Sequence, residues 1–164
     1  MDWRRPVVTI SELDAPRSVL WQHATSFAGI RAELWPWLDM TTPRGLRARR
    51  LDEIAPSAGL GRSVLLLGGL LPVEYDDIVI ADLEPGRRFL ERSSMLTSVL
   101  WEHERVVEDG ERGAGRVRDT VRFRLRAVPR HVPGVERLAR ATVTALFEHR
   151  HRRLRHHFGV PETA

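Results

Sequence analysis

The chain changes its hydrophobic period twice. Residues Trp3 to Glu12 carry the β-branched run Val7, Val8, Thr9, Ile10 and predict a strand. Asp14-Ala15-Pro16 then reads as a helix start, with Asp14 as N-cap and a proline in the first turn, and predicts a short helix to about His23. Ser26 caps a second predicted helix from Phe27 to about Leu38. Phe27, Ile30, Leu34 and Trp37 or Leu38 share its apolar face. Pro36 falls inside that pattern, so the helix is expected to end or kink near Trp35.

From Leu46 the period becomes two. Leu46–Leu51, Arg62–Leu67, Val73–Leu83, Arg87–Ser94, Ser98–Val107 and Gly115–Arg126 are six successive predicted strands. Turn residues separate most of them: Pro56-Ser57-Ala58-Gly59, Gly68-Gly69, Glu84-Pro85-Gly86 and the Asp109–Gly115 loop. Short connections between sequential strands favour an antiparallel meander. After Pro133-Gly134 the period turns helical to about Phe158, with Val135, Leu138, Ala139, Thr142, Ala145, Leu146 and His149 on one stripe. No repeat or linker divides the chain, so residues 1–164 read as one domain with a short tail at 159–164.

This order, strand, two short helices, six strands and a long helix, predicts an α+β fold: a seven-stranded antiparallel sheet whose apolar face is covered by the C-terminal helix. The order resembles the helix-grip fold of the START-like (SRPBCC) superfamily. Several segments carry the resemblance: Ala15-Pro16, Leu83-Glu84-Pro85-Gly86-Arg87-Arg88-Phe89, Trp101-Glu102-His103-Glu104-Arg105, Arg118-Asp119-Thr120-Val121-Arg122-Phe123, and the ending from Phe147 to Leu154. The resemblance is strongest to bacterial members that share no single activity. It implies a curved sheet wrapped around the long helix, with a cavity between them. Known members hold lipids, sterols, hormones or polyketides there, and some catalyse cyclisation or dehydration.

Composition narrows the chemistry. There is no cysteine, which excludes disulfides, thiol nucleophiles and Cys-bound zinc. All 26 basic side chains are arginine, so a Schiff-base lysine is excluded as well. Twenty-two acidic residues leave a net charge of only +4, and nucleic-acid binding is not expected. No stretch approaches the roughly 18 apolar residues of a membrane span, and no signal-peptide core opens the chain, so a cytoplasmic location is expected. No metal site is expected either: in the His149–His157 run no second histidine stands four residues after the first, and the run reads as a solvated helix end.

Alternation along the last predicted strand puts Val117, Asp119, Val121, Phe123 and Leu125 on the inner face, with a row of arginines outside. Placing Glu102 and Glu104 opposite those arginines turns Trp101, His103 and Arg105 inward. Pairing Val107 with Gly115 sets His103 opposite Asp119. A buried aspartate needs a partner, and His103 or Arg105 can supply it. The pair is open to two readings, a structural ion pair or a contact to a polar ligand group. The cavity candidates are thus Trp35, Trp37, Tyr75, Trp101, His103, Arg105, Asp119, Val121, Phe123 and His149. Tyr75 and Asp77 share a face that is a candidate entrance, and Asp76-Asp77 reads as a solvated turn rather than a metal site. The leading function is binding of a small hydrophobic or aromatic molecule, lipid- or polyketide-like, with no cofactor. A cyclase, aromatase or dehydratase, or an interaction module using the arginine-rich face, are the alternatives. The sequence leaves a homodimer open.

Overall fold

The computed structural model describes residues 5–44, 49–55, 57, 59–127 and 132–161. Strand β1 (Val7–Leu13) leads into helices α1 (Arg17–Thr25) and α2 (Phe27–Leu34). Strands β2 (Leu38–Met40), β3 (Gly59–Leu67), β4 (Leu71–Glu84), β5 (Arg88–Met95), β6 (Ser98–Asp109) and β7 (Gly115–Leu125) follow. The long C-terminal helix is α3 (Val135–Phe158). The strands form one curled seven-stranded sheet in the order β1-β7-β6-β5-β4-β3-β2, every neighbouring pair antiparallel. This is the α+β helix-grip architecture.

Local chemistry explains the start of the fold. The Ser26 side chain accepts the Gly29 N–H and so caps α2. A Cβ on Gly29 would lie 2.1 Å from the His23 carbonyl oxygen, so only glycine lets the two helices join this tightly. Leu34 closes α2 one residue before Trp35-Pro36, where proline excludes the next helical turn. Asp14 is not the cap of α1. Pro16 occupies that position, and the Asp14 N–H instead donates to the Gly159 carbonyl, tying the α1 entrance to the end of α3.

Three further expectations are corrected. The seventh strand is β2, whereas Leu51 belongs to a 3-10 turn, Leu51–Glu53; Leu46 to Ala48 lie outside the described residues. So do Trp3, Pro56, Ala58 and residues 162–164. In the β6–β7 pair, Asp109 faces Gly115, so Arg105 and not His103 lies opposite Asp119. The buried stripe of α3 is also rotated. Leu138 is 66% exposed, while Phe147, Arg150, His151 and Leu154 are buried.

Two apolar clusters fix α3 on the sheet. Phe147 packs with Val7, Val121, Phe123 and Leu125, and Leu154 packs with Leu13, Leu20, Trp21 and Val117. Each such side chain stabilises the fold by about 1.5–3 kcal/mol. A third cluster, with Leu34, Met40, Leu60, Ile78 and Ile80, closes the other end. A cavity and a set of buried charges lie between these clusters.

Candidate functional site

The cavity has a volume of about 110 Å³. Ile30 and Leu34 of α2 form one wall, and Ile78 and Ile80 of β4 form another. Trp101 of β6 and Phe147 of α3 close it toward the β7 side. Its polar lining is confined to Asp76 on β4, Glu91 on β5, His103 on β6 and Arg150 on α3. The strand faces explain this grouping. Antiparallel register puts His103 opposite Glu91 and Asp76 opposite Met95, so inward-facing residues of three adjacent strands meet on one wall.

The charges of that wall are unequal. Burial pushes the Asp76 carboxyl up and the Glu91 charge pushes it further, to about 9. Asp76 is therefore un-ionised at neutral pH and can give its proton to Glu91 as a hydrogen bond. Burial also pushes Glu91 up, but the His103 imidazolium, with Nδ1 3.7 Å from Glu91 Oε2, outweighs it and the net direction is down. The Ser93 hydroxyl donates to Glu91 at 2.7 Å. His103 is opposed by burial, yet the Asp119 charge wins and favours the imidazolium.

Behind this wall the ion pairs continue out of reach of solvent. Arg105, fully buried, donates through Nε and a terminal nitrogen to Asp119 at 2.7 and 2.6 Å, and through both terminal nitrogens to Glu33 at 2.7 and 2.8 Å. Arg150 Nε donates to Glu33 at 3.0 Å. Burial raises Asp119 and Glu33, but Arg105 beside both, with Arg150 beside Glu33, carries each carboxylate below its ordinary range. Burial depresses Arg105 in turn, and the two carboxylates more than restore it. Arg105, Arg150 and the His103 imidazolium thus stand against Glu33, Asp119 and Glu91, which balances the buried charge.

His151 extends the set. Its Nε2–H donates to Asp119 at 3.0 Å, because an ionised carboxylate can only accept, and its Nδ1 meets Ser11 Oγ at 2.8 Å. Serine, histidine and aspartate in this order match the residue types of a nucleophile relay. The surroundings do not suit one. Ser11 is 4% exposed, does not line the cavity, and its Oγ accepts a hydrogen bond from Arg155 at 2.7 Å.

Of the residues singled out from sequence, Trp101 and His103 line the cavity. Arg105, Asp119, Val121 and Phe123 are buried behind it, Arg105 and Asp119 in the ion network and Val121 and Phe123 in the Phe147 cluster. His149 is buried on α3 and donates from Nε2 to the Trp35 carbonyl at 3.1 Å. Trp37 stacks on the His149 ring at 4.4 Å and lines a separate outer groove with Pro36 and Leu67. Trp35 is half exposed. Tyr75 faces outward under the Arg62 guanidinium, 4.1 Å away, and Asp77 beside it pairs with the same arginine. Asp76-Asp77 is not a turn: both lie within β4, and Asp76 points inward, 8% exposed. The His149–His157 run is solvated only in part, most fully at Arg152, His156 and His157, while His149, Arg150 and His151 are buried.

Glu33, Asp76, Glu91, Arg150 and His151 went unrecognised from sequence. A signal existed for most of them. Glu33 follows Ile30 by three residues and so shares its helical face; Arg150 and His151 follow Phe147 by three and four. Asp76 alternates with Ile78 and Ile80 on one strand face. Among the described residues no group of three or more His, Asp or Glu is arranged to hold a metal ion, and no helix is long and apolar enough to cross a membrane.

Residues 11–158 match the family described as "Domain of unknown function (DUF8410)", and the chain belongs to that family. No curated protein is detectably similar to it. Solved structures share its fold. A Chromobacterium violaceum protein is 11% identical with a TM-score of 0.68, over 96% of this chain and 99% of its own. A START superfamily protein from Mycobacterium smegmatis is 13% identical with a TM-score of 0.62, over 92% and 97%. DynU16, described as a protein of the dynemicin biosynthetic locus, is 16% identical with a TM-score of 0.55; the match spans 94% of this chain and 48% of DynU16. The fold is START-like.

Proposed function

We propose that this DUF8410 chain binds one small, mainly apolar molecule between the sheet and α3. The observation behind the reading is the cavity itself, apolar over most of its lining, with Asp76, Glu91 and His103 gathered on the sheet wall and Arg150 reaching it from α3. Its volume of about 110 Å³ is of the order of the roughly 150 Å³ engineered cavity that takes up benzene. That size suits an aromatic or polyketide-like ring, or one end of a longer lipid. A relative encoded in a biosynthetic locus agrees with a small-molecule role.

A second reading, catalysis of the cyclase or dehydratase type, has one observation in its favour: His103 and Glu91 are an acid and a base on the cavity wall. The interaction-module reading is weakened by the outer face, where Glu102 already pairs with Arg92 at 2.9 Å and Arg122 at 3.1 Å.

Native mass spectrometry of the protein isolated from its own host tests the binding reading. A small molecule should be retained under gentle ionisation and lost on unfolding. A bare protein that also fails to take up toluene in solution would refute it. Conversion of the retained molecule on incubation with fresh protein would favour the enzyme reading.

A further inference from the structure

Asp76 is the exceptional group of the cavity wall. The residue is only 8% exposed, yet its Oδ1 has no hydrogen-bond partner among protein donors. Several polar or charged groups surround it. Glu91 and Ser93 come from β5, Asp77 is its neighbour on β4, and His103 and Arg150 line the same space from β6 and α3. Arg150 is engaged by Glu33 and His103 by Asp119, so neither cation is free to neutralise Asp76. The wall therefore offers a carboxyl and a carboxylate side by side, with apolar side chains around them.

We propose that Asp76 and Glu91 are the recognition point for the polar group of the bound molecule, and that the class taken is an uncharged, ring-sized compound bearing a hydroxyl, phenol being the simplest case. The inference rests on the cavity-binding reading above. With the Asp76 proton directed to Glu91, the unpartnered Oδ1 is an acceptor, and a ligand hydroxyl supplies the donor it lacks. A ligand carboxylate would bring a second anion next to Glu91 in a space with no spare cation. An ammonium would have to be stripped of water in an apolar cavity and would force Asp76 to release its proton. The protonation of Asp76 supports the match, since it keeps this end of the cavity from carrying two negative charges.

Phenol and toluene have nearly the same shape and differ in the hydroxyl, so their affinity ratio isolates the recognition step, while toluene alone reports the cavity. Titration calorimetry on the full chain at pH 7 should find phenol bound at least tenfold tighter than toluene, and benzoate at least tenfold weaker than phenol. In Asp76→Leu the phenol preference should fall to within about threefold of unity with toluene binding retained. If the variant binds toluene and keeps the tenfold preference, this inference fails and the cavity reading survives. If benzoate binds wild type more tightly than phenol, the uncharged class is wrong. If neither toluene nor phenol binds wild type, both readings fail together. Should Asp76→Leu not fold, carboxyl-carbon NMR of the wild type decides: phenol should shift the Asp76 and Glu91 resonances and toluene should not. Equal shifts with both probes, or none with phenol, would overturn the assignment.

Discussion

Replacing Arg105 by methionine removes the hub of the buried ion network. The guanidinium makes four charge-assisted hydrogen bonds to Asp119 and Glu33 at 2.6–2.8 Å, and all three side chains are essentially without solvent contact. Methionine fills much of the volume and supplies none of the donors. Two carboxylates then stay buried with fewer partners: His103 and His151 for Asp119, and Arg150, with His23 at 3.5 Å, for Glu33. Breaking a buried pair from one side costs about 3–5 kcal/mol. For a domain of this size that corresponds to roughly 6–20 °C in melting temperature. The cost should depend on pH with a definite sign. Both carboxylates have folded-state values lowered below their unfolded ones, so in the wild type their contribution is present above about pH 4 and is lost as the pH falls through the folded values. The variant lacks the cation that lowers them, so protonation relieves it instead. The gap between the two proteins should shrink from pH 7 toward pH 4. Urea titration followed by circular dichroism across that range measures it. A difference below about 1 kcal/mol at pH 7, or one that stays constant with pH, would refute this account of the network.

Three other outcomes follow from the geometry. Glu102→Gln should lower stability by no more than about 1 kcal/mol, since it lies on the outer face with partners that reach solvent, Arg92 well exposed and Arg122 half-buried; a loss of many degrees in a thermal melt would contradict its outward placement. A fragment of residues 1–132 should not melt cooperatively, because Phe147 and Leu154 each contribute about 1.5–3 kcal/mol to a total of only about 5–15; a sharp calorimetric transition from that fragment would contradict it. Asp76→Asn should stabilise the protein at pH 7 by an amount on the order of 1–4 kcal/mol, because the amide never has to be kept protonated. The Asp76 carboxyl is raised to about 9, so its contribution is greatest below pH 4 and falls as the pH rises toward 9. The advantage of the variant should grow over the same window, and a pH-independent difference in urea midpoints would count against un-ionised Asp76.

Strand faces were readable from sequence because alternation survives small errors of register. Pairing Val107 with Gly115 misplaces β6 against β7 by two residues, and a shift of two leaves every side chain on its proper face. Hence Trp101, His103, Arg105 and Asp119 were expected inside and are inside, while the partner directly across from Asp119 was not found. Strand β2 carries only three residues next to a helical pattern, too few to display a period. The buried charges were obscured for a different reason. Glu33, Arg150 and His151 occupy helix positions where a charged side chain normally marks the solvent face, and only their mutual neutralisation lets them go inside. That neutralisation joins α2, β6, β7 and α3, and no single window of sequence contains it.

The contact between Ser11 and Arg155 spans 144 residues of chain, and β1 enters the sheet only by pairing with β7. During synthesis the ribosome releases residues in order, so β1, α1 and α2 emerge with no sheet to join. Until β6, β7 and α3 have emerged, Glu33 lacks Arg105 and Arg150, and its charge is best left in water. Early collapse of the segment from β1 to α2 is thereby discouraged, and completion of the fold waits until α3 has emerged. Such remote closure also predicts slow refolding for a domain of this size, with chaperone dependence in the interval when Leu20, Trp21 and Phe89 are made but still uncovered.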